Sequence, residues 1–273
     1  MNKFVIQLIC PDQRGIIARL TSILYKSTNN ILSIEQHVDK EKGEFYARIL
    51  TEKSVAKTVF PKDELLTLSR KLKGKCNLFN PDKKINVAIL GTKESEPIYD
   101  LLIKNNSNEL ICSSPIVISN HQTLSHVAQQ FNVRFFKINN NTQLLKILKT
   151  NNIELIVLAR YMQIIPGEIV KLYTNNIINI HHGFLPAFKG SKPYHQAYNK
   201  GVKIIGATAH YITNELDEGP IISQDIVHIN HQHSINDMIQ LGREIEKNVL
   251  YKAVKAHLEH KIIVYNSKTI VFK

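Results

Sequence analysis

Five short segments between residues 87 and 180 are apolar throughout or nearly so: Val87–Leu90, Ile116–Ile118, Val133–Phe136, Leu155–Leu158 and Ile177–Ile180. A strand with one wet face alternates apolar and polar residues, because successive side chains point to opposite sides. A run without alternation needs cover on both faces, which helices packed on either side of a parallel sheet provide. Helical segments separate these runs, so this part of the chain is constrained to an α/β fold with a mostly parallel sheet. Beyond Lys203 come two longer strand-like stretches, Ile204–Ile212 and Ile221–Ile229. A long helix over Ile235–Leu258 and a hairpin through Asn266-Ser267 complete the pattern.

The first 80 residues follow a different rule. A strand over residues 3–9 runs into the turn Pro11-Asp12-Gln13-Arg14-Gly15, and Ile16, Ile17, Leu20, Ile23 and Leu24 then recur at helical spacing. Strand-like Ile31–Val38, a polar turn at 39–44, strand-like Phe45–Leu50, a helix near Lys62–Leu72 and a short strand at Cys76–Phe79 follow. The order β-α-β-β-α-β closes as one antiparallel sheet with two helices on one face, a ferredoxin-like arrangement. The expected division is a domain over residues 1–80, a linker at 81–84 and a second domain over 85–273.

Composition narrows the function. Three cysteines, Cys10, Cys76 and Cys112, are scattered and never paired as C-x-x-C, which argues against a disulfide scaffold or thiolate zinc site and fits a reducing cytoplasm. No apolar run reaches the length of a membrane span. The opening Lys3–Cys10 stretch is broken by Gln7 and lacks a cleavage site, so it is not read as a secretion signal. The 35 Lys+Arg against 23 Asp+Glu give a net charge of +12. The lysines are dispersed and no nucleic-acid motif accompanies them, so nucleic acid is not an expected partner. A small anionic substrate, or simply a chain rich in Asn, Ile and Lys, accounts for the charge.

Polar chemistry is densest in Asn179-Ile180-His181-His182-Gly183-Phe184-Leu185-Pro186. On a strand Asn179 and His181 share a face and His182 points away. At the carboxyl end of a parallel strand, where such sheets bind ligands, a carboxamide and an imidazole together can hold an oxyanion and move a proton. The acidic loop Asn214-Glu215-Leu216-Asp217-Glu218-Gly219-Pro220 could supply a carboxylate to orient that imidazole or a water. Each piece also has a plain reading, the first as a hydrogen-bonded pair and the second as a turn. His195, His228, His231 and His233 taken singly read as ordinary surface or core histidines. His231-x-His233 lacks an identifiable third ligand, and Gly190-Ser191-Lys192 has the wrong order for a phosphate loop.

The ordered set decides between these readings. Asn179-x-His181, Leu185-Pro186-x-Phe188-x-Gly190, Gly206-x-Thr208-x-His210 and Asp217-x-Gly219-x-Ile221 together resemble the folate-dependent formyltransferase family, over about Lys84 to the end. The resemblance implies a Rossmann-like catalytic domain and formyl transfer from formyltetrahydrofolate by Asn179, His181 and Asp217. It implies a folate pocket formed by Tyr161-Met162-Gln163-Ile164-Ile165 and by Thr213, Asn214, Glu215 and Leu216. His182, His195 and His210 are candidates for supporting roles. The folate is the substrate, and no further cofactor or metal is implied.

What accepts the formyl group is a separate question. Family members that act on a phosphorylated amine cradle its phosphate in a Gly-rich loop after the first strand. Here that loop reads Gly91-Thr92-Lys93-Glu94-Ser95-Glu96-Pro97, with one glycine and two carboxylates, a poor phosphate site despite Lys93. Members that act on tRNA carry a further basic domain, and this chain closes at Lys273 soon after its last helix. The N-terminal Cys10-Pro11-Asp12-Gln13-x-Gly15-Ile16 and its element order resemble an ACT domain, which implies an amino-acid-type effector near Asp12, Gln13 and Gly15 and a homo-oligomer. An ACT domain ahead of this catalytic domain, with Pro193-Tyr194-His195-Gln196-Ala197-Tyr198, resembles the hydrolytic branch of the family. That branch releases formate and tetrahydrofolate, with water as acceptor, in one-carbon metabolism and purine supply. Gly183 departs from the Ser common there. Lys189 and Lys192 are candidates to meet a polyglutamate tail. Transfer to an unidentified amine, or a folate sensor without turnover, are the rival readings.

Overall fold

The computed structural model describes residues 3–53, 59–187 and 193–273. The chain divides into two compact units. The first comprises residues up to Lys83 together with Glu259–Ile263 and Ile270–Lys273, and the second Lys84–Leu258 with Val264–Thr269.

The first unit runs β1 (Lys3–Pro11), α1 (Ile16–Lys26), β2 (Asn29–Asp39), β3 (Glu44–Lys53), α2 (Lys62–Lys71) and β4 (Lys75–Phe79). Its antiparallel sheet has the order β2-β3-β1-β4. Ile6, Leu8 and Cys10, two apart on β1, face Ile16, Leu20 and Leu24 of α1 and Leu65 and Leu68 of α2. Gly15 precedes α1 at φ 80°, a left-handed turn that glycine enters without steric cost. Asp12, Gln13 and Gly15 all stand exposed on that turn.

The opposite face of β1 explains why the chain's end groups with this unit. Gln7 Nε2 donates to the carbonyls of His260 (3.1 Å) and Ile262 (3.0 Å). Arg48 donates from Nε to His260 O and from Nη2 to Glu259 O, both at 3.0 Å. The range 85–273 expected for the second domain is therefore too generous. Glu259–Ile263 group with the first unit because donors on its sheet need acceptors, and the carbonyls of Glu259, His260 and Ile262 supply them. Ile270–Lys273 follow through Phe272 N–H, which donates to Lys261 O at 2.9 Å, and Lys273 N–H, which donates to Glu35 at 2.8 Å.

The second unit runs β5 (Val87–Leu90), α3 (Glu96–Asn106), β6 (Ile116–Ser119), α4 (Ser125–Gln130), β7 (Arg134–Lys137), α5 (Asn141–Thr150), β8 (Leu155–Leu158), α6 (Gly167–Leu172), β9 (Ile177–His181), α7 (Pro193–Asn199), β10 (Ile204–Tyr211), β11 (Ile221–His228) and α8 (Ile235–Leu258). Strands β12 (Ile262–Tyr265) and β13 (Lys268–Val271) pair with each other at the end of the chain. The seven-stranded sheet has the order β11-β10-β9-β8-β5-β6-β7. Strands β5 to β9 are parallel to one another, β10 runs antiparallel to β9, and β11 runs antiparallel to β10.

Alternate residues of the apolar runs serve opposite faces. Ala88, Leu90, Ile116, Ile118, Ile156 and Leu158 pack with Leu144 and Leu148 of α5 and Ile169 of α6. Val87, Ile89 and Val157 turn the other way, toward Leu101 of α3 and Val254 and Leu258 of α8. β7 departs from the rule: Arg134 and Lys137 are exposed at its ends, because this strand closes the sheet edge and meets a neighbour on one side only. Among the described residues no helix is long and apolar enough to cross a membrane.

Candidate active site

Strand β9 delivers Asn179 and His181 to its carboxyl end, as the two-residue period requires. The antiparallel register of β10 then sets His210 opposite Asn179 and Thr208 opposite His181. Asp217 arrives from the loop between β10 and β11, itself in the left-handed region at φ 57°. That loop is held close: Tyr211 N–H donates to Pro220 O at 2.9 Å. A Cβ on Gly219 would lie 1.6 Å from Tyr211 O, so only glycine fits there.

The side chains converge. His181 Nδ1 lies 3.3 Å from Asp217 Oδ2, and the two side chains are 5% and 8% exposed. Because a carboxylate only accepts, this contact places the hydrogen of a neutral ring on Nδ1 and leaves Nε2 as the acceptor nitrogen. His210 Nδ1 donates to Tyr211 O at 2.9 Å. Its Nε2 then accepts from Asn179 Nδ2 at 3.3 Å and lies 3.8 Å from Asp217 Oδ1. Burial lowers the His210 pKa, which keeps the ring neutral and able to accept. His210 thereby fixes which end of the Asn179 amide is nitrogen, and the second hydrogen of that nitrogen remains to be offered to a bound group.

The turn after His181 is fixed from below. Thr208 Oγ1 donates to Gly183 O (2.9 Å) and accepts from Leu185 N–H (3.1 Å), while Gln224 Nε2 donates to Leu185 O (2.9 Å) and to Thr208 Oγ1 (3.0 Å). The backbone carbonyl of Gly183 carries this anchor, so the contact does not depend on a side chain at that position. The Leu185-Pro186 peptide is cis.

The expected folate walls divide into two kinds. Tyr161 and Ile165 turn into the core, while Met162, Gln163 and Ile164 stand in solvent. Thr213, Asn214, Glu215 and Leu216 are likewise exposed. Ile164 is 84% exposed, Leu216 71% and Met162 56%, an uncovered apolar group of the kind that marks a binding surface. Asn214 of the second segment lies beside the start of α6, two residues beyond the first: a Cβ on Gly167 would lie 3.3 Å from Asn214 Oδ1. A cavity of about 530 Å³ also borders Asp217, lined by Leu185, Pro186, Gly219 and Lys268 among others.

Of the three supporting histidines, His182 and His210 pack with the site and His195 is exposed on α7. The His182 ring lies 5.6 Å from that of His181 and 6.0 Å from that of Tyr194. Burial, and then the cation of Arg160, hold the His182 pKa down to about 4. Phe188, Lys189, Gly190 and Lys192 lie outside the described residues. Burial raises all three cysteine thiols to about 11, so none is a ready nucleophile. Among the described residues no group of three or more His, Cys, Asp or Glu is arranged to hold a metal ion.

Sequence reasoning missed a buried cluster behind His182. Arg160 donates to Glu246 from Nε and Nη2, each at 2.6 Å, and Tyr194 OH donates to the same carboxylate at 2.7 Å. The available signal was Glu246 itself, an acid on the stripe of α8 that also carries Met238, Val249 and Ala253.

Residues 84–254 match the family model described as "Formyl transferase". Over 275 residues the chain is 41% identical to the formyltetrahydrofolate deformylase of Synechocystis sp., covering 96% of each sequence. It is 40% identical over 281 residues to the protein of that name from Escherichia coli K12, with 99% of each covered. The crystal structure of a formyltetrahydrofolate deformylase from Pseudomonas syringae pv. tomato superposes with a TM-score of 0.95 at 35% identity, covering all of this chain and 95% of that one.

Proposed function

The chain belongs to the formyltetrahydrofolate deformylases, within the formyl transferase family, and we propose that Asn179, His181 and Asp217 perform its chemistry. The reaction is hydrolysis of formyltetrahydrofolate to tetrahydrofolate and formate, a cleavage of an amide-type C–N bond with water as acceptor. The observation that carries the assignment of residues is the buried convergence of an imidazole on a carboxylate at 3.3 Å beside an amide whose orientation is fixed.

Asp217 orients the attacking water and takes up its proton, directly or through His181. Its charge also stabilises the imidazolium that forms when Nε2 accepts that proton. Asn179, with its amide nitrogen set by His210, donates to the oxygen of the formyl group as negative charge builds there. Collapse of the tetrahedral intermediate breaks the bond to the folate nitrogen, and the proton held by the His181–Asp217 pair returns to that nitrogen. The substrate's flat ring system lies against Met162, Ile164 and Leu216, whose apolar surface is uncovered, and the nearby backbone supplies donors and acceptors to the ring edge. The exposed Asp12–Gly15 turn of the first unit is the proposed contact of an amino-acid effector, and we place the enzyme in the cytoplasm as a homo-oligomer. An effect of free amino acids on turnover, lost on Gly15→Ala, checks the first of these.

Purified, chelator-treated protein incubated with formyltetrahydrofolate and no amine acceptor tests the reading. Equal and catalytic amounts of formate and tetrahydrofolate are expected. Folate binding without turnover would overturn hydrolysis and favour a sensor, and turnover that waits for an added amine would favour transfer.

A further inference from the structure

Open α/β sheets bind ligands in the crevice where strand order reverses, outside the carboxyl ends of the strands. From β5 this chain adds β6 and β7 on one side and then β8 and β9 on the other, so the reversal lies between β5 and β8. The lips of the crevice are Gly91–Ser95, after β5, and Ala159–Met162, after β8. The protein has filled this crevice with its own side chains. Thr92 N–H donates to Arg160 O at 3.3 Å, and Thr92 Oγ1 accepts from Met162 N–H at 2.9 Å, tying the lips together. Arg160, held at φ 59°, directs its guanidinium to the buried Glu246 carboxylate, which also accepts from Tyr194. Gly242, one turn before Glu246 on α8, makes room for that tyrosine: a Cβ there would lie 1.9 Å from Tyr194 Oη. Outside this cluster, Arg243 reaches Glu94 at 3.1 Å and Glu96 at 3.2 Å, joining α8 to the loop after β5 and to the first residue of α3.

We propose that the Arg160–Glu246–Tyr194 plug, clasped by Arg243 to Glu94 and Glu96, occupies the space an amine acceptor would need and so leaves water as the acceptor. The proposal rests on the reaction assigned above. The location supports it, since His182 neighbours both the plug and His181, with ring centroids 6.0 Å from Tyr194 and 5.6 Å from His181. So does the chemistry. A buried ion pair stabilises a fold little more than apolar residues of the same volume, so filling alone does not call for charge. Arg160 is engaged by Glu246 through two donors and offers no free fork to an anionic acceptor, while Glu94 and Glu96 repel one. For either acceptor the balance is the same in kind. A lone pair on nitrogen or oxygen forms a bond to the formyl carbon, the bond from that carbon to the folate nitrogen breaks, and the acceptor's proton passes to that nitrogen. Access alone selects formate or a formylated amine.

Two variants test this, with glycinamide and hydroxylamine as amine probes. R160A/E246A removes both members of the ion pair together and leaves no lone buried charge, and R243A opens the half-exposed clasp. Formate and formylated amine are quantified together as the amine is raised. Wild type should yield formate alone. Each variant should give a formyl-amine to formate ratio that climbs with amine concentration, about tenfold or more above wild type, the scale on which pocket shape discriminates small groups. A ratio unchanged from wild type in variants that still release formate would overturn the proposal. Loss of all turnover in folded variants would do the same, because it would place these residues in hydrolysis itself. If R160A/E246A fails to fold, the R243A ratio decides. Wild type that releases no formate without amine fails the assigned reaction, a separate result from an unchanged ratio.

Discussion

Acidification should loosen the second unit through His182, by an amount that its surroundings set. Its ring is largely buried between those of His181 and Tyr194, and the Arg160 cation lies nearby. Burial first, and then that cation, bring its pKa from 6.5 to about 4 in the folded chain. The sign follows from proton counts. Between those two values the unfolded chain binds a proton that the folded chain refuses, so stability is full above about pH 6.5 and is lost as pH falls toward 4. A shift of about 2.5 units, at about 1.4 kcal/mol per unit, corresponds to about 2 kcal/mol lost by pH 5 and roughly 3 kcal/mol by pH 4. Urea unfolding of wild type and His182→Gln across this range measures it. The comparison between the two proteins is what isolates the residue, because His260 of the first unit, also held down to about 4 by burial, titrates in both. The two stability curves should converge as pH falls, with wild type losing the additional amount. Parallel curves would show that His182 carries its ordinary pKa, and would refute both the burial argument and the nearness of Arg160 on which it draws.

Asn179→Ala should lower turnover by about a hundred- to a thousandfold, the usual effect of losing one oxyanion donor, with folate binding retained in a fluorescence titration. Unchanged turnover would remove Asn179 from the chemistry. Asp217→Asn keeps a residue that tolerates the left-handed backbone at φ 57° while deleting the charge. It should fold normally by circular dichroism and lose about two to four orders of magnitude in rate, and full activity would exclude a role for the carboxylate. Gly219→Ala should cost about 1–3 kcal/mol in chemical unfolding and most of the activity, because its Cβ meets backbone at Tyr211 rather than a side chain that could move. A variant as stable and active as wild type would mean that the Asp217 loop shifts freely.

What could be read from the sequence is what local periodicity records. Complete burial on both faces leaves an uninterrupted apolar run, so β5, β6, β8 and β9 were legible where they stand. The edge strand β7 slipped by one residue because its exposed ends, Arg134 and Lys137, interrupt the run. Asn179 and His181 were legible as a pair because the strand period is two. Asp217 entered by family resemblance, since its nearness to His181 depends on the pairing of β10 with β9, a non-local fact that no window of sequence contains. The folate segments show the same limit. Tyr161 to Ile165 is an irregular stretch without a period, and nothing local says that Tyr161 and Ile165 turn inward while Met162 and Ile164 stay out.

The cluster behind His182 shows why the missing part bears on function. His181 stands between two unlike neighbours. On one side is the Asp217 carboxylate, 3.3 Å from Nδ1. On the other is His182, which burial and the Arg160 cation keep neutral down to about pH 4. A proton taken from water at neutral pH therefore cannot rest on His182 and be carried away toward Tyr194, whose own phenol is raised by burial and by Glu246. In the proposed mechanism it stays with the His181–Asp217 pair, on the side of the loop that carries Asp217, and returns from there to the folate nitrogen. A plug built from apolar residues would close the crevice equally well. Burial, the first cause of the low His182 pKa, would persist with such a plug; what the ion pair adds is the Arg160 cation, which lowers that pKa further and which Glu246 partly offsets.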